Sequence, residues 1–340
     1  MIFINMNIIF FGSSSYCLPV VESLRKNFNL KAIITKPGPI ASFAKKHQIA
    51  CLTPIDKGEL SALSGKISKL KPDIAIVADY GLIIPREIFN LPKYKTLNIH
   101  FSRLPFLRGA SPVQYTILTD QTPWVSVIKM DEGLDAGDIV WQKEYKKITK
   151  PPSTNPTFDQ LANETAESLY IKLFQDIAYE IAAIVNDYIN GKLIPKKQDQ
   201  SKATFSKALT RDDGFIPFEL IIDATKGETK KISDYQDKFI TNTLFKLLPN
   251  CNIIISVNRA IRAFSPWPGV WTKINLRRFQ NKQNCLSLLN ESEKKTEKRL
   301  KILKSHIDGD RLILDLVQLE GKKPVSWKQF QEGYPNYASI

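Results

Sequence analysis

A chain of 340 residues, 43% hydrophobic and 24% charged, has the length of about two domains and enough apolar content to fill their cores. That excludes a disordered or collagen-like protein. The formal charge is +14, and residues 201–340 hold 24 basic against 15 acidic side chains. A polyanionic partner on the C-terminal part, nucleic acid first, stands beside the plainer reading of solvated lysines.

The apolar start of the chain lacks a basic n-region and is interrupted by Asn5 and Asn7, so it reads as a strand and not as a signal peptide. No run approaches the ~18 apolar residues of a membrane helix, and a cytoplasmic protein is expected. Cys17, Cys51, Cys251 and Cys285 form no CxxC pair, and His47, His100 and His306 lie far apart; neither a disulfide framework nor a metal site is expected.

Asn7–Phe11 ahead of Gly12-Ser13-Ser14-Ser15 predicts a buried strand entering a tight turn, with a helix over 18–25. Strands follow at 32–35, 73–78, 96–100, 125–130 and 139–141, with helices near 41–47, 56–70 and 111–118. Continuous apolar strands alternating with helices predict an α/β domain: a doubly wound, mostly parallel sheet of the Rossmann-like kind. Thr157 and Gln160 offer a capping box to a long amphipathic helix that carries Leu161, Leu169, Leu173, Ile177, Ile181, Ile184 and Tyr188 and closes at Gly191. Short β-type runs at 269–274, 300–303 and 311–316 predict a smaller β-rich, barrel-like domain, with the charged tract 291–299 as a hairpin tip. The expected division is a first domain over 1–195, a polar linker over 196–207 and a basic domain over 208–340.

The turn at Gly12 has one glycine where a dinucleotide site wants G-x-G-x-x-G, and no phosphate-binding GxxxxGK[ST] occurs, which disfavours NAD and ATP. Gly12, Ser13 and Ser14 retain the capacity to hold one anionic or polar group. The chemistry concentrates further on. Asn98 and His100 sit two residues apart on a predicted strand, so both side chains point to one face. About thirty-five residues later, Met130–Asp138 is an acidic, glycine-bearing loop able to bring a carboxylate, Asp135, to the histidine. An amide to hold an oxyanion, an imidazole to polarise or shuttle a proton and a carboxylate to orient it suit acyl transfer to an amine. A satisfied histidine at a strand end is the bland alternative.

These motifs are part of a wider pattern. Asn98-Ile-His100, Ser102-x-Leu-Pro105, Arg108-Gly-Ala-Ser-Pro-x-Gln114 and Gly133-Leu-Asp135-x-Gly-Asp138 resemble the methionyl-tRNA formyltransferases, a family of the folate-dependent formyltransferase superfamily. Asp79-Tyr-Gly-Leu-Ile-Ile-Pro85, Thr204-Phe-Ser-Lys207 and Ile261-Arg-Ala-Phe-x-Pro-Trp-Pro268 extend the resemblance over most of the chain. It implies a catalytic first domain, a tRNA-binding last domain, and transfer of a formyl group from 10-formyltetrahydrofolate to the α-amine of initiator methionyl-tRNA by a monomer with no membrane role. In that scheme Asn98 and His100 hold the carbonyl oxygen and Asp135 orients His100 and takes the amine's proton. Leu82, Ile83, Ile84, Ser102, Arg103, Leu104, Pro105 and Asp131 line the folate cleft, and Gly12, Ser13, Ser14, Arg108 and Gly109 face the acceptor. Trp267 is expected as a packing corner.

Two departures from the family stand out. The long basic loop after the second strand is reduced to Thr35–Ile40, so either another basic segment reaches the tRNA or the acceptor is different, an amino sugar nucleotide being the alternative. Lys226, Lys230, Lys231, Lys238 and Lys246, in a stretch over 223–251 that reads as an insertion, are candidates for the first case, with Lys202, Lys207, Lys322 and Lys323. Arg103 replaces a leucine and either pairs with the folate's glutamate tail or points to solvent.

Overall fold

The computed structural model describes residues 6–145, 161, 164–238, 246–276 and 296–334, which fall into two compact units. The first holds a seven-stranded sheet of β1 (Asn7–Phe11), β2 (Asn29–Ile34), β3 (Ala50–Leu52), β4 (Ile74–Ala78), β5 (Thr96–His100), β7 (Trp124–Lys129) and β8 (Asp138–Glu144), in the order β3-β2-β1-β4-β5-β7-β8. Pairings from β3 through β5 are parallel, and β7 and β8 add an antiparallel edge. The chain builds outward from β1 to β3 and then restarts on the other side at β4, the reversal that opens a crevice at the carboxyl ends of the strands.

Periodicity explains how the sheet is buried. Ile9 and Phe11, Ala32 and Ile34, and Ala75 and Val77 alternate onto one face, where Leu60, Ile67, Ile84, Ile88 and Phe89 cover them. The intervening Ile8, Phe10, Ile33, Ile74 and Ile76 are fully buried as well, which accounts for unbroken apolar strands.

Helices α1 (Leu18–Asn27), α2 (Pro39–Lys46) and α6 (Pro112–Leu118) fall where expected. The single helix expected over 56–70 is two, α3 (Lys57–Ala62) and α4 (Ser64–Lys69), because Leu63 takes ψ −6° and interrupts the ladder. The short α5 (Arg86–Phe89) follows Pro85. Helix α7 (Ala166–Ile189) buries Leu169, Leu173, Ile177, Ile181 and Ile184 and stops two residues before Gly191, but Leu161 lies outside it as a buried residue of the second unit. The capping box at Thr157 and Gln160 lies outside the described residues.

Residues 196–207, expected as a linker, are an integral part of the first unit. Lys196 bridges Ile139 of β8, and β9 (Phe205–Ser206) pairs in parallel with β6 (Arg108–Gly109).

The second unit contains residues 209–334 with small earlier pieces. Its antiparallel sheet runs β10 (Val270–Leu276), β11 (Thr296–Asp308), β12 (Arg311–Leu319) and β13 (Val325–Ser326). Thr296–Arg299, expected in a hairpin tip, pair with β10 instead; the rest of that tract lies outside the described residues. Helices α8 (Phe218–Thr225), α9 (Ile253–Ala263) and α10 (Trp327–Gly333) complete the unit. Trp267 is 51% exposed, so its indole is not the buried corner that its proline neighbours suggested. Lys230 is held by Asp223 at 2.8 Å and Lys202, in the first unit, by Asp199 at 3.2 Å. Among the described residues, no helix is long and apolar enough to cross a membrane.

Candidate active site

Strand β5 places Asn98 and His100 on one face, and the loop between β7 and β8 brings Asp135 to both. The Asn98 Nδ2 group donates to Asp135 Oδ1 at 3.2 Å and retains a second N–H. His100, 6% exposed, has Nε2 2.9 Å from the carbonyl oxygen of Leu107. A carbonyl only accepts, so Nε2 carries a hydrogen and donates, and Nδ1 faces Asp135 Oδ2 at 3.6 Å. The Gly109 N–H donates to the same oxygen at 2.8 Å. The three residues singled out by chemistry therefore meet around one carboxylate.

The loop that carries Asp135 is held by features of short reach and long reach together. Asp135 has φ +48°, a left-handed conformation that aspartate tolerates better than most residues. A Cβ on Gly137 would stand 1.9 Å from the Lys129 carbonyl oxygen, so only glycine lets the loop close onto β7. Gly109, at φ +106°, lies equally tight against the backbone of Ser206, through the β6–β9 pairing. Gln198, from the segment read as a linker, donates to the carbonyls of both Asp135 and Gly137 at 2.7 Å.

The remaining predicted positions divide. Arg108 does not face an acceptor pocket: it is 4% exposed, and its guanidinium donates to Gln198 Oε1 at 2.7 and 3.1 Å and to Gln200 Oε1 at 2.9 Å. The N–H groups of Gly12 and Ser13 are used by the carbonyls of Ile34 and Asp79, so they form no open anion cradle. Ser14 Oγ lies 3.5 Å from Cys17 Sγ, and burial pushes that thiol up to about 12.

Of the folate candidates, Ile84 and Leu104 are buried, and Pro105 follows Leu104 through a cis bond. Ser102 donates to the Phe106 carbonyl at 2.6 Å. Arg103 is exposed, as the solvent-directed reading expects, and its guanidinium stands 4.8 Å over the Trp124 ring. Ser102, Arg103, Phe106 and Leu107 line a cavity of about 340 Å³ with Thr116, Gln121, Thr122 and Trp124. Leu82–Ile84 and Asp131 do not line that cavity. Asp131 accepts the Gly133 N–H at 2.8 Å and shapes the tip of the acidic loop. Ile83 and Leu134 expose 76% and 64% of their surface, and the Arg86–Glu132 ion pair at 2.5 Å ties the two loops that bear them. Between β4 and that rim, Tyr80 has a buried hydroxyl without a hydrogen-bond partner, and burial pushes its phenol up to about 12.

Sequence reasoning missed Gln198, Gln200 and the Leu107 carbonyl. Nothing in their local pattern marks them, since each acts through a partner distant in the chain or through backbone.

Residues 6–173 match the family described as formyl transferase, and residues 253–335 match the formyl transferase C-terminal domain. A methionyl-tRNA formyltransferase of Wolbachia pipientis from Culex pipiens is 30% identical, with 96% of each chain covered, and one of Rickettsia bellii is 29% identical with 97% of each covered. Among solved structures, methionyl-tRNA formyltransferase from Clostridium thermocellum superposes with a TM-score of 0.54 at 19% identity, covering 92% of this chain and 98% of that one. A 4-N formyltransferase from Francisella tularensis gives 0.53 at 17% identity, covering 78% and 92%; these two show the shared fold. The chain belongs to the methionyl-tRNA formyltransferase family.

Proposed function

We propose that the protein transfers the formyl group of 10-formyltetrahydrofolate to the α-amine of methionine esterified to initiator tRNA. The observation that carries this reading is the meeting of Asn98, His100 and Asp135, with contacts of 3.2 and 3.6 Å to one carboxylate, in a chain whose relatives are named for that reaction. The folate fits the rim described above. Exposed Ile83 and Leu134 offer apolar walls to a flat heterocycle. Leu82–Ile84, Ser102–Pro105 and Asp131 are assigned to that cleft, the first and last around this rim.

When bound, 10-formyltetrahydrofolate supplies an electrophilic formyl carbon. Asn98 gives its second N–H to the carbonyl oxygen as negative charge develops there. His100 shares its Nε2 hydrogen between the Leu107 carbonyl and that oxygen. Asp135, already oriented by the Gly109 N–H, receives the proton that leaves the amine as the new C–N bond forms, and that proton is passed on to N10 of the departing tetrahydrofolate as the old C–N bond breaks. An α-amine titrates at about 7.7–8.0, so a neutral nucleophile is present near pH 7 without a strong base. Positioning and oxyanion stabilisation are then the main catalytic contributions. The acceptor's phosphates meet the basic C-terminal part, which makes binding salt-dependent. We place the enzyme in the cytoplasm as a monomer.

The acceptor is what the test must separate. Only Thr35–Gly38 join β2 to α2, a short connection that favours a smaller acceptor such as an amino sugar nucleotide. Incubation with 10-formyltetrahydrofolate and either methionyl-tRNA or amino sugar nucleotides is expected to formylate methionine. Formylation of the sugar alone would overturn the assignment of acceptor.

A further inference from the structure

The geometry points to Arg108 and Gln198 as positioning residues that set Asp135 for catalysis; this inference rests on the catalytic role proposed above for Asp135.

Arg108 is a buried cation, 4% exposed, with no carboxylate within ion-pair distance among the described residues. Its guanidinium is satisfied by two neutral amides, Gln198 and Gln200. Burying a guanidinium without an opposing charge is costly, and its hydrogen bonds to these two amides are what offset that cost. Gln198 also reaches the acidic loop. Its Oε1 takes two N–H groups from Arg108, and its Nε2 gives both hydrogens to the carbonyls of Asp135 and Gly137, each at 2.7 Å.

This orientation is forced. A guanidinium only donates and a carbonyl only accepts, so reversing the amide would set donor against donor and acceptor against acceptor. A glutamate at the same position would hold Arg108 more strongly and leave both loop carbonyls facing an anion. Glutamine joins a fixed donor to two fixed acceptors, and Arg108 selects it.

The chain of contacts closes on itself. The residue after Arg108 is Gly109, whose N–H donates to Asp135 Oδ2 at 2.8 Å. Consecutive residues of β6 thus hold Asp135 from both ends, the backbone carbonyl through Gln198 and the carboxylate directly. With φ at +48°, Asp135 has a conformation that a free loop would leave readily, and the double hold keeps the carboxylate against Asn98 and His100.

The experiment compares Gln198→Glu, Gln198→Met and Arg108→Lys with the parent enzyme in steady-state formylation, beside Asp135→Ala as a reference. Gln198→Glu keeps an acceptor for Arg108 and the buried volume but cannot donate to the loop. We expect kcat to fall about tenfold to hundredfold, with KM for both substrates within about threefold and the thermal midpoint preserved, since a displacement near 1 Å carries a penalty of that size. Gln198→Met, neutral and similar in length, is expected to reproduce the loss. Arg108→Lys tests the other end, because a single ammonium cannot fork onto one amide oxygen. A folded Gln198 variant with parental kcat overturns the inference, as does a fall in kcat matched by an equal rise in both KM values. If Gln198 variants retain activity while Asp135→Ala abolishes it, the clamp alone fails. If Asp135→Ala retains activity, the catalytic reading fails, and the clamp with it.

Discussion

The two halves of the site are built by different physics. Asn98 and His100 lie on β5, between β4 and β7, where ladder hydrogen bonds on both sides fix the backbone and the two-residue period fixes the face. Asp135 lies on a loop with a left-handed backbone, a glycine pressed on a neighbouring strand, and a glutamine from 63 residues away. The strand half is positioned by a regular element that would form without the site. The loop half exists in its present form only because several unrelated parts of the first unit agree on it. Function placed on such a loop is easier to abolish indirectly, and its supports are as exposed to mutation as the catalytic group itself.

The largest effect is expected at the carboxylate. Asp135→Asn keeps the side chain's shape but removes the proton acceptor, and its amide meets the Asn98 amide across a 3.2 Å contact that needs one acceptor. Single-turnover formylation should slow by about 10²–10⁴-fold, the range of general acid–base contributions. A loss below tenfold would place the proton's acceptor elsewhere. Asn98→Ala, on the strand half, is expected to lower kcat by about 10²–10³-fold, the effect of removing one oxyanion donor. Because the two side chains share a hydrogen bond, the double variant should lose less than the product of the single losses. Full multiplication would mean that the halves act independently.

A second comparison separates stability from chemistry. In Gly137→Ala the new methyl would stand 1.9 Å from a backbone oxygen, so the loop or β7 must move, at an expected loss of about 1–3 kcal/mol of stability. Gly65, in α4, has open space where a Cβ would go, and Gly65→Ala should be neutral or stabilising by up to about 1 kcal/mol. Denaturant titration of both variants measures the difference directly. Equal midpoints would mean that the loop relaxes freely and is not held by its contact with β7.

The same division governs what could be read in the sequence. Strand β5 falls at 96–100 as its apolar pattern predicts, and with it the shared face of Asn98 and His100, because that information is local. Asp135 was also legible, from its place in the acidic loop and from the resemblance. Its supports were not. Gln198 stands in a polar stretch that reads as a linker, and only tertiary contacts, the Lys196–Ile139 bridge and the pairing of β6 with β9 among them, reveal that this stretch returns to the site. Arg108 shows the opposite error: a charged residue in a motif reads as a ligand contact, yet tertiary hydrogen bonds turn it inward. Trp267 fails for a related reason, since flanking prolines fix the local path of the chain without deciding which side of it is buried. Leu161 continues the helical period of α7 on paper, but its carbonyl accepts from Arg262 of the second unit.

The smallest effect is expected where the acidic loop is most visibly tied. Glu132, three residues before Asp135, meets Arg86 at 2.5 Å, but the two side chains are 64% and 73% exposed. Solvent screening and the ordering of two long side chains leave such a pair worth about 0–1 kcal/mol. Gln198, by contrast, is 7% exposed and makes its two contacts where water cannot replace them. Glu132→Gln should therefore change kcat by no more than about threefold, and added salt should not reproduce even that change in the parent enzyme, because the loop's position does not depend on the pair. Stopped-flow formylation across an ionic-strength series measures this. A loss in Glu132→Gln comparable to that in Gln198→Glu would move the control of Asp135 from the buried side of the loop to its rim.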